Sequence, residues 1–467
     1  MRALPVIAVA LLVCSAVVGA TGDLGGPATE AGAVPIAGDD PAPPALDPAT
    51  PVAQTDGGAG PQQISVLDMP PTSIERWGVD QQYVDLGPAL DLSTNATTDH
   101  LRTRAMVERV ESANTTAQRR DRLRTALRGL EARVDDLEER QTTAVAAYGR
   151  GEIDSHDLLV TLVRVRIAAE ELGDRRNRIE SLAAETRGFD IDRGRLASIS
   201  NRLSAFTGPV RAHAQAVLTG EAPPHRFYIA TGPESVTLST ILDDTYLREA
   251  YRGDLRNGDG DAIELEVALD IVSSNYPVIW NTTREQTQVF GGGGTYPVRI
   301  AHGRGDLTAF VDSDARVVYA EHQRRPLTSM VADRRVEETG DGIRLVVNQT
   351  YPGGPAQIRV VDTVTGDPVD AAVSMSIETG AATRLGTTGD DGVFWTLSPY
   401  RRYTITVDGQ GESVEAVVDP GAPPRVDANT GAGAGTGAEP GSDGDNTTTT
   451  PMPTAIASAV DADVYER

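Results

Sequence analysis

The stretch RRDRLRTALRGLEARVDDLEERQ, residues 119–141, decides the architecture of the first half of the chain. Its apolar residues recur at alternating steps of four and three, a spacing that keeps them on one face of a helix. The pattern continues to Tyr148, and Arg, Asp and Glu fill most of the positions between. It predicts a long helix with a narrow apolar stripe that consists of Leu123, Leu127, Leu130, Val134, Leu137, Gln141, Ala144 and Tyr148.

A second stripe with the same spacing follows a clear stop signal. Gly149 and Gly151 end the first helix, and Asp154 or Ser155 caps the next one. Two stripes joined by a short turn predict an antiparallel helical hairpin, with an intermolecular coiled coil as the alternative. The second stripe consists of Leu158, Leu162, Val165, Ala169, Leu172, Arg176, Ile179 and Ala183.

The flanks of the hairpin are also predicted to be helical. The helical region begins near Thr98, and a stripe from Met106 to Ala117, slightly out of phase with the first, indicates a stutter in one continuous helix. Two shorter helices follow, one centred on residues 196–206 and one running from Gly208-Pro209 to Gly220. The extended segment ISVLDMP, residues 64–70, precedes this region, and Trp77 and Tyr83 are apolar anchors beside it.

After residue 220 the pattern changes to strands. The runs RFYIATG, SVTLSTIL, YPVRIAHG and LTAFVDSDARVVYAEHQ have strand composition, and helices are predicted at DDTYLREAYRGDLRN and around AIELEVALDIVSSNY. Residues 312–315, DSDA, should form the turn of a hairpin. The hairpin AFVDSDARVVYAEHQ resembles the closing hairpin of PepSY-type domains, which are small α+β modules of secreted and envelope proteins.

Residues 341–419 alternate polar and apolar positions in short runs separated by Gly, Pro and Asp turns, the pattern of a β-sandwich. The segments VVDTVTGDPVDAAV, TTGDDGVFWTL and YTITVDG resemble the carboxypeptidase regulatory-like sandwich, with turns at Thr365-Gly366 and Asp391-Gly392. The resemblance implies a non-catalytic module that braces, spaces or binds. Together with the features below, it makes the chain similar to secreted surface proteins of haloarchaea.

The N-terminus, MRALPVIAVALLVCSAVVGA, predicts a secretory signal peptide over residues 1–20, with an uncleaved anchor as the alternative. Cys14 is the only cysteine, so cleavage would leave no thiol for a disulfide or a metal. Residues 21–61 and 420–467 are rich in Gly, Ala, Pro, Asp and Thr and are predicted to be disordered. No segment after the signal is apolar enough to span a membrane.

The charge composition points to a particular solvent. The 467 residues contain 42 basic side chains, all arginine, against 67 acidic ones, for a formal net charge of −25. Such a balance disfavours binding to nucleic acid or to anionic membranes. Arginine is less strongly hydrated than lysine and binds carboxylates through two hydrogen bonds, which suits a solvent of molar salt. We interpret the chain as halophilic; a GC-rich genome would explain the missing lysine but not the acidity.

Five glycosylation sequons are the candidate sites in an exported chain. They are Asn95, Asn114, Asn281, Asn348 and Asn446. Other motifs are incomplete: residues 257–268 lack the Gly and Glu of a calcium loop, and the glycines at 291–294 lack the residues that bind phosphate. The six histidines are scattered, and neither a zinc-protease motif nor a nucleophile motif occurs. We therefore predict no catalytic, cofactor or metal site.

These observations predict a multidomain α + β protein. Its parts are a signal peptide (1–20), a linker (21–61), a helical domain (62–220), an α+β domain (221–335), a β-sandwich (341–419) and a tail (420–467). The leading hypothesis is a non-enzymatic, exported structural or binding protein at the surface of a halophilic archaeon, with envelope proteins or glycans as partners. The alternatives are a pro-region or inhibitory module that accompanies a secreted hydrolase, and the ectodomain of a membrane-anchored sensor.

Overall fold

A computed structural model describes residues 62–258, 261–283, 287–291, 293–340 and 342–426. The predictions for the signal peptide, the linker and residues 427–467 lie outside this part of the chain. Within it, the helices are α1 (Leu86–Glu111), α2 (Thr116–Gly149), α3 (Ser155–Ala184), α4 (Arg193–Ser204), α5 (Pro209–Leu218), α6 (Leu265–Asn275) and α7 (Pro277–Thr283).

The predicted hairpin is confirmed, because α2 and α3 pack along their stripes and bury nearly all of the stripe residues. The predicted stutter is wrong. The chain breaks at residues 112–115, where the side chain of Thr115 accepts a hydrogen bond from the Gln118 amide and caps a new helix. α1 begins at Leu86, earlier than predicted, and is a separate helix that packs mainly on α3.

Eight antiparallel strands form the central sheet. In spatial order it runs β1-β2-β3-β4-β8-β7-β6-β5. β1 therefore joins a sheet whose other strands follow the helical region in sequence. The strands are β1 (Arg76–Gln82), β2 (His225–Thr231), β3 (Ser235–Leu242), β4 (Thr245–Arg252), β5 (Thr287–Val289), β6 (Thr295–His302), β7 (Gly305–Asp312) and β8 (Val317–Pro326).

The predicted helix at residues 243–257 is wrong, because β4 occupies most of that stretch. Leu247 and Tyr251 of β4 face the helices, whereas Tyr246 and Ala250 face the opposite side. The alternation was masked by Arg248, a charged residue that is nonetheless buried. The predicted hairpin of β7 and β8 and the predicted helix α6 are confirmed.

Each side of the sheet has its own cover. The helix side packs against α2 to α5 through one continuous apolar core. The other side is covered by α6, by α7 and by residues 62–69, which we call the strap. Ile64 and Leu67 of the strap enter the core formed with α6 and α7, and Met69 packs near Tyr246.

Two four-stranded sheets form the C-terminal β-sandwich, which confirms the predicted fold class of a multidomain α + β protein. Their orders are β14-β11-β10-β9 and β13-β12-β15-β16. β9 and β13 were not predicted, because both are short, exposed edge strands without an apolar face. The strands are β9 (Arg334–Thr339), β10 (Ile343–Gln349), β11 (Pro355–Asp362), β12 (Ala372–Ile377), β13 (Thr383–Thr387), β14 (Val393–Leu397), β15 (Tyr403–Gly409) and β16 (Glu412–Val418).

Candidate functional site

The sequons fall on different elements. Asn95 is exposed on α1, Asn114 is exposed between α1 and α2, and Asn281 is exposed on α7. Asn348 is half-buried in β10, where its Nδ2 donates to Oε1 of Gln357 at 3.0 Å. Asn446 lies outside the described residues. The first three side chains are thus on the surface, although Nδ2 of Asn95 donates to Oδ2 of Asp91 at 3.1 Å, and the fourth is half-buried.

A buried ionic cluster lies on the strap side of the sheet. Arg248 of β4 contacts Glu321 of β8 at 2.8 Å and Asp68 of the strap at 3.3 Å. The same Glu321 carboxylate accepts hydrogen bonds from the Leu67 amide at 2.8 Å and from the Tyr276 hydroxyl at 2.6 Å. Strap, sheet and the start of α7 therefore meet at one carboxylate, and each is positioned by the others.

The electrostatics of this cluster reflect its burial. Burial raises the pKa of Glu321 and of Asp68, and the positive charge of Arg248 opposes the rise in both cases. Burial lowers the pKa of Arg248, but the charges of Glu321 and Asp68 outweigh burial and raise it overall. Arg248 therefore stays charged, and its charge is matched by two carboxylates.

The sandwich is attached to the sheet next to this cluster. The carbonyl of Gly353, between β10 and β11, accepts hydrogen bonds from the Ser239 hydroxyl and from the Tyr246 hydroxyl, the latter at 2.9 Å. On the same side, Arg226 of β2 donates to the carbonyls of Leu385 and Arg384 in β13, at 3.0 and 3.1 Å. The sheet thus holds both a loop and an edge strand of the sandwich.

Gly353 allows this attachment because it has no side chain. Its φ is +74°, and a Cβ placed there would lie 2.7 Å from the Tyr228 ring of β2. A left-handed backbone and a close approach both favour glycine. The sandwich can therefore contact the sheet closely at this point.

The two ends of the described chain meet at the strap. The Val66 amide donates to the Pro424 carbonyl at 2.8 Å, and the Val426 amide donates to the Val66 carbonyl at 3.1 Å. These bonds form a short parallel bridge between Val66 and Arg425. The first and the last described segments are therefore hydrogen-bonded to each other.

A second buried pair holds α5 on the helix side of the sheet. Arg211 contacts Glu249 at 3.0 Å, and one oxygen of Glu249 also accepts hydrogen bonds from the Val210 and Arg211 amides at the start of α5. A negative charge at a helix start is stabilised by the free amides there. Burial lowers the pKa of Arg211, and Glu249 opposes the change.

A cavity of about 430 Å³ opens on the helix side near β5. Arg299 and Arg324 line it, both are exposed, and neither has an ion pair within the described ranges. Asp306 lines it as well, so the cavity carries both signs of charge. Arg299 lies over the Phe290 ring at 5.0 Å, which leaves its charge uncompensated. On a chain with a net charge of −25, two such cations are a local site of attraction for anionic groups. The floor is a cross-strand row formed by Gln288, Arg299, Thr308 and His322.

The histidines contribute one pair. His213 of α5 and His225 of β2 lie edge to face, with ring centroids 4.5 Å apart. Burial and the neighbouring His225 lower the pKa of His213 to about 4. Among the described residues, no group of three or more His, Cys, Asp or Glu side chains has a metal-binding arrangement.

Sequence reasoning missed the ionic cluster because its members are far apart in the chain. Arg248, Glu321 and Asp68 each read as solvent-facing charges in isolation. The available signal was the position of charged residues inside the strand patterns.

In the described part of the chain, none of the helices has the length and apolar character that crossing a bilayer requires.

Three family models match consecutive parts of the chain. They are a domain of unknown function (DUF7096) over residues 1–223, a family of unknown function (DUF7094) over residues 227–331 and an archaeal fibronectin-III type-like domain over residues 334–416. No curated protein and no solved structure matches the chain. The third match and the two packed sheets together support an Ig-like β-sandwich of archaeal type at the C-terminus.

Proposed function

We propose that this chain is a non-enzymatic, exported protein of a halophilic archaeon that acts at the cell surface as a structural spacer or binding module. The observation that carries the proposal is the attachment of the archaeal fibronectin-III-like sandwich to the sheet through Gly353 and Arg226. Flexibly linked domains move independently, whereas a sandwich held by buried contacts keeps a fixed orientation. A fixed orientation is what a spacer or a display module requires.

The halophilic part of the proposal rests on charge. An excess of 67 acidic over 42 basic side chains, with arginine as the only cation, leaves many carboxylates to repel one another in dilute buffer. At 1 M salt the Debye length is about 3 Å, so carboxylates farther apart than this repel one another only weakly. Export and a surface location rest on the predicted signal peptide and the five sequons. These features predict envelope proteins or glycans as partners.

The cavity lined by Arg299 and Arg324 supports the binding role. Its exposed cations suit a carboxylate or a sulfate on a neighbouring envelope component. Gln288 and Thr308 add neutral hydrogen-bonding groups in the same row.

The test is fractionation of a haloarchaeal host that produces the full chain. We expect the protein in the surface or medium fraction, with a mature N-terminus after Ala20, and folded in molar salt but unfolded in dilute buffer. A cytoplasmic marker protein from the same cells is the control for lysis. Recovery of the intact chain inside the cell, with residues 1–20 attached, would reject export; full stability in dilute buffer would reject halophily.

A further inference from the structure

Two arginines on the strap side of the sheet have buried donor atoms without a protein partner. Arg325 of β8 is 2% exposed, and its Nε has no hydrogen-bond partner among the described residues. Arg304, in the turn between β6 and β7, donates from Nη1 to the Gln62 carbonyl at 2.8 Å, but its buried Nη2 has no partner. Neither side chain has an ion pair in the described part of the chain.

The two arginines are neighbours. A Cβ built on Gly305 would lie 3.0 Å from the Cα of Arg325, so the turn that carries Arg304 touches β8. His302 experiences both charges: burial, then Arg325, then Arg304 lower its pKa to about 4. His302 is therefore neutral at neutral pH, and it adds no charge of its own.

A tyrosine of the sandwich lies near Arg325. Tyr351 is buried, and its hydroxyl has no hydrogen-bond partner among the described residues. The charge of Arg325 reaches this ring, since it opposes the rise that burial causes in the pKa of Tyr351. Tyr246, which faces Arg325 in the register of β4 and β8, uses its own hydroxyl on Gly353. The Tyr351 hydroxyl thus lies beside the hydroxyl of Tyr246 and within reach of the charge of Arg325.

The other fully buried arginines show how unusual this arrangement is. Arg248 has Glu321 at 2.8 Å, and Arg211 has Glu249 at 3.0 Å. Removal of a guanidinium group from water is unfavourable unless an opposite charge accompanies it. Arg325 has no carboxylate in that role, and Arg304 adds a second positive charge beside it.

We propose that Arg304 and Arg325 bind a small inorganic anion of the size and charge of chloride next to Tyr351. A monatomic anion accepts hydrogen bonds from any direction, so it suits two guanidinium groups, one carried by a strand and one by a turn. Arg325 is only 2% exposed, so an anion bound beside it has to be small. The anion would join β8 to the turn between β6 and β7, and it would stabilise only the folded state.

The first experiment measures the melting temperature of the full chain as sodium chloride replaces sodium gluconate at constant ionic strength. For the natural protein we expect a rise that saturates with chloride. Arg325→Met should abolish that rise and, in gluconate alone, should melt above the natural protein because it removes an unpaired buried charge. The matched control is Arg401→Met, which removes an arginine that is 60% exposed and should leave the chloride response intact.

Crystals grown in sodium bromide provide a second readout that does not depend on the variant's folding. An anomalous peak between Arg304 and Arg325 is the expected result. Lack of that peak, an unchanged chloride response in Arg325→Met, or a response to sulfate in place of chloride would overturn the proposal. Should Arg325→Met fail to fold, Arg304→Gln, which keeps a donor but removes the charge, must weaken the response for the proposal to stand.

Discussion

Arg248 is a charged side chain that the sheet hides from solvent, and two carboxylates from distant parts of the chain make this possible. Glu321 and Asp68 contact it at 2.8 and 3.3 Å, and Glu321 also accepts hydrogen bonds from the strap and from Tyr276. In such a cluster the attraction between the buried charges offsets the unfavourable free energy of removing them from water. Loss of one partner leaves an uncompensated charge, and this loss governs the effect of a substitution.

Glu321→Gln tests that reasoning. The amide keeps the shape and an acceptor for the Leu67 amide, but it removes the charge that faces Arg248. Breaking a buried pair costs about 3–5 kcal/mol, and we expect about 3 kcal/mol because Asp68 remains. Denaturant unfolding in molar salt measures the change in the free energy of unfolding.

The control is Glu378→Gln, at an exposed pair. Glu378 contacts Arg401 at 3.0 Å, and the two side chains are 52% and 60% exposed. Exposed pairs contribute about 0–1 kcal/mol, so this variant should be nearly neutral. Equal losses in the two variants would contradict a special role for burial at Glu321.

His213 predicts a pH dependence of stability. Its pKa is lowered from 6.5 to about 4 in the folded state, by burial first and by His225 second. Between these values the unfolded chain binds the proton and the folded chain does not, so stability is complete above about pH 6.5 and falls as the pH decreases toward 4. His213→Phe should reduce this slope, as measured by unfolding titrations across that range.

His100→Gln provides the comparison, because His100 is exposed on α1. This variant should lose stability with falling pH as steeply as the natural protein does. If His213→Phe and His100→Gln gave the same slope, protonation of His213 would not be the cause.

At the scale of elements, the α2 stripe contains one polar residue that the hairpin buries. Gln141 is 1% exposed, and both of its amide atoms lack a hydrogen-bond partner among the described residues. An unsatisfied buried polar group costs about 1–3 kcal/mol. Val134 and Leu127 occupy the equivalent positions one and two repeats earlier in the stripe, so the surroundings of Gln141 suit an apolar side chain.

Gln141→Leu should therefore raise the free energy of unfolding by about 1 kcal/mol or more. Thermal unfolding followed by circular dichroism measures it. Thr143→Leu, at an exposed position in the same turn of α2, should change stability by only about 0.5 kcal/mol through helix propensity. A loss of stability in Gln141→Leu would show that the glutamine has a role that its contacts do not reveal.

The elements that sequence reasoning predicted share strong periodicity. The stripes of α2 and α3 and the alternation in β10 and β15 each bury one face, so their apolar spacing reports the structure directly. The errors occur where tertiary contacts replace that signal. β4 carries a buried arginine inside its alternation, and the edge strands β9 and β13 bury too little to show one.

The candidate site was less predictable than the fold. The sequons are local motifs, and sequence alone finds them. The ionic cluster depends on the strap lying against β4 and β8, a contact between residues separated by about half of the chain, and no local pattern encodes it. Only the topology brings Asp68, Arg248 and Glu321 together.

At the scale of the molecule, two family matches divide one sheet. The first match ends at residue 223 and the second begins at 227, yet β1 lies in the first and pairs with β2 along seven residues, all but two of them in the second. The helical part and the central part therefore complete a common fold. The sandwich is joined to that fold through Gly353. We therefore expect the sandwich and the central sheet to unfold together.

Gly353→Ala is the test of this coupling. The natural chain should show one transition for sheet and sandwich in scanning calorimetry. A methyl group 2.7 Å from the Tyr228 ring should push the sandwich loop away and separate the transition into two.

Gly366→Ala is the matched control: its φ of +77° imposes a similar strain, but no atom lies within 4 Å of the new methyl group. We expect it to lower the melting temperature without separating the transitions, since the strain costs about 1–2 kcal/mol and the junction is intact. Two separate transitions in the natural protein would mean that the sandwich is tethered but not coupled, and the spacer role would then lose its physical basis.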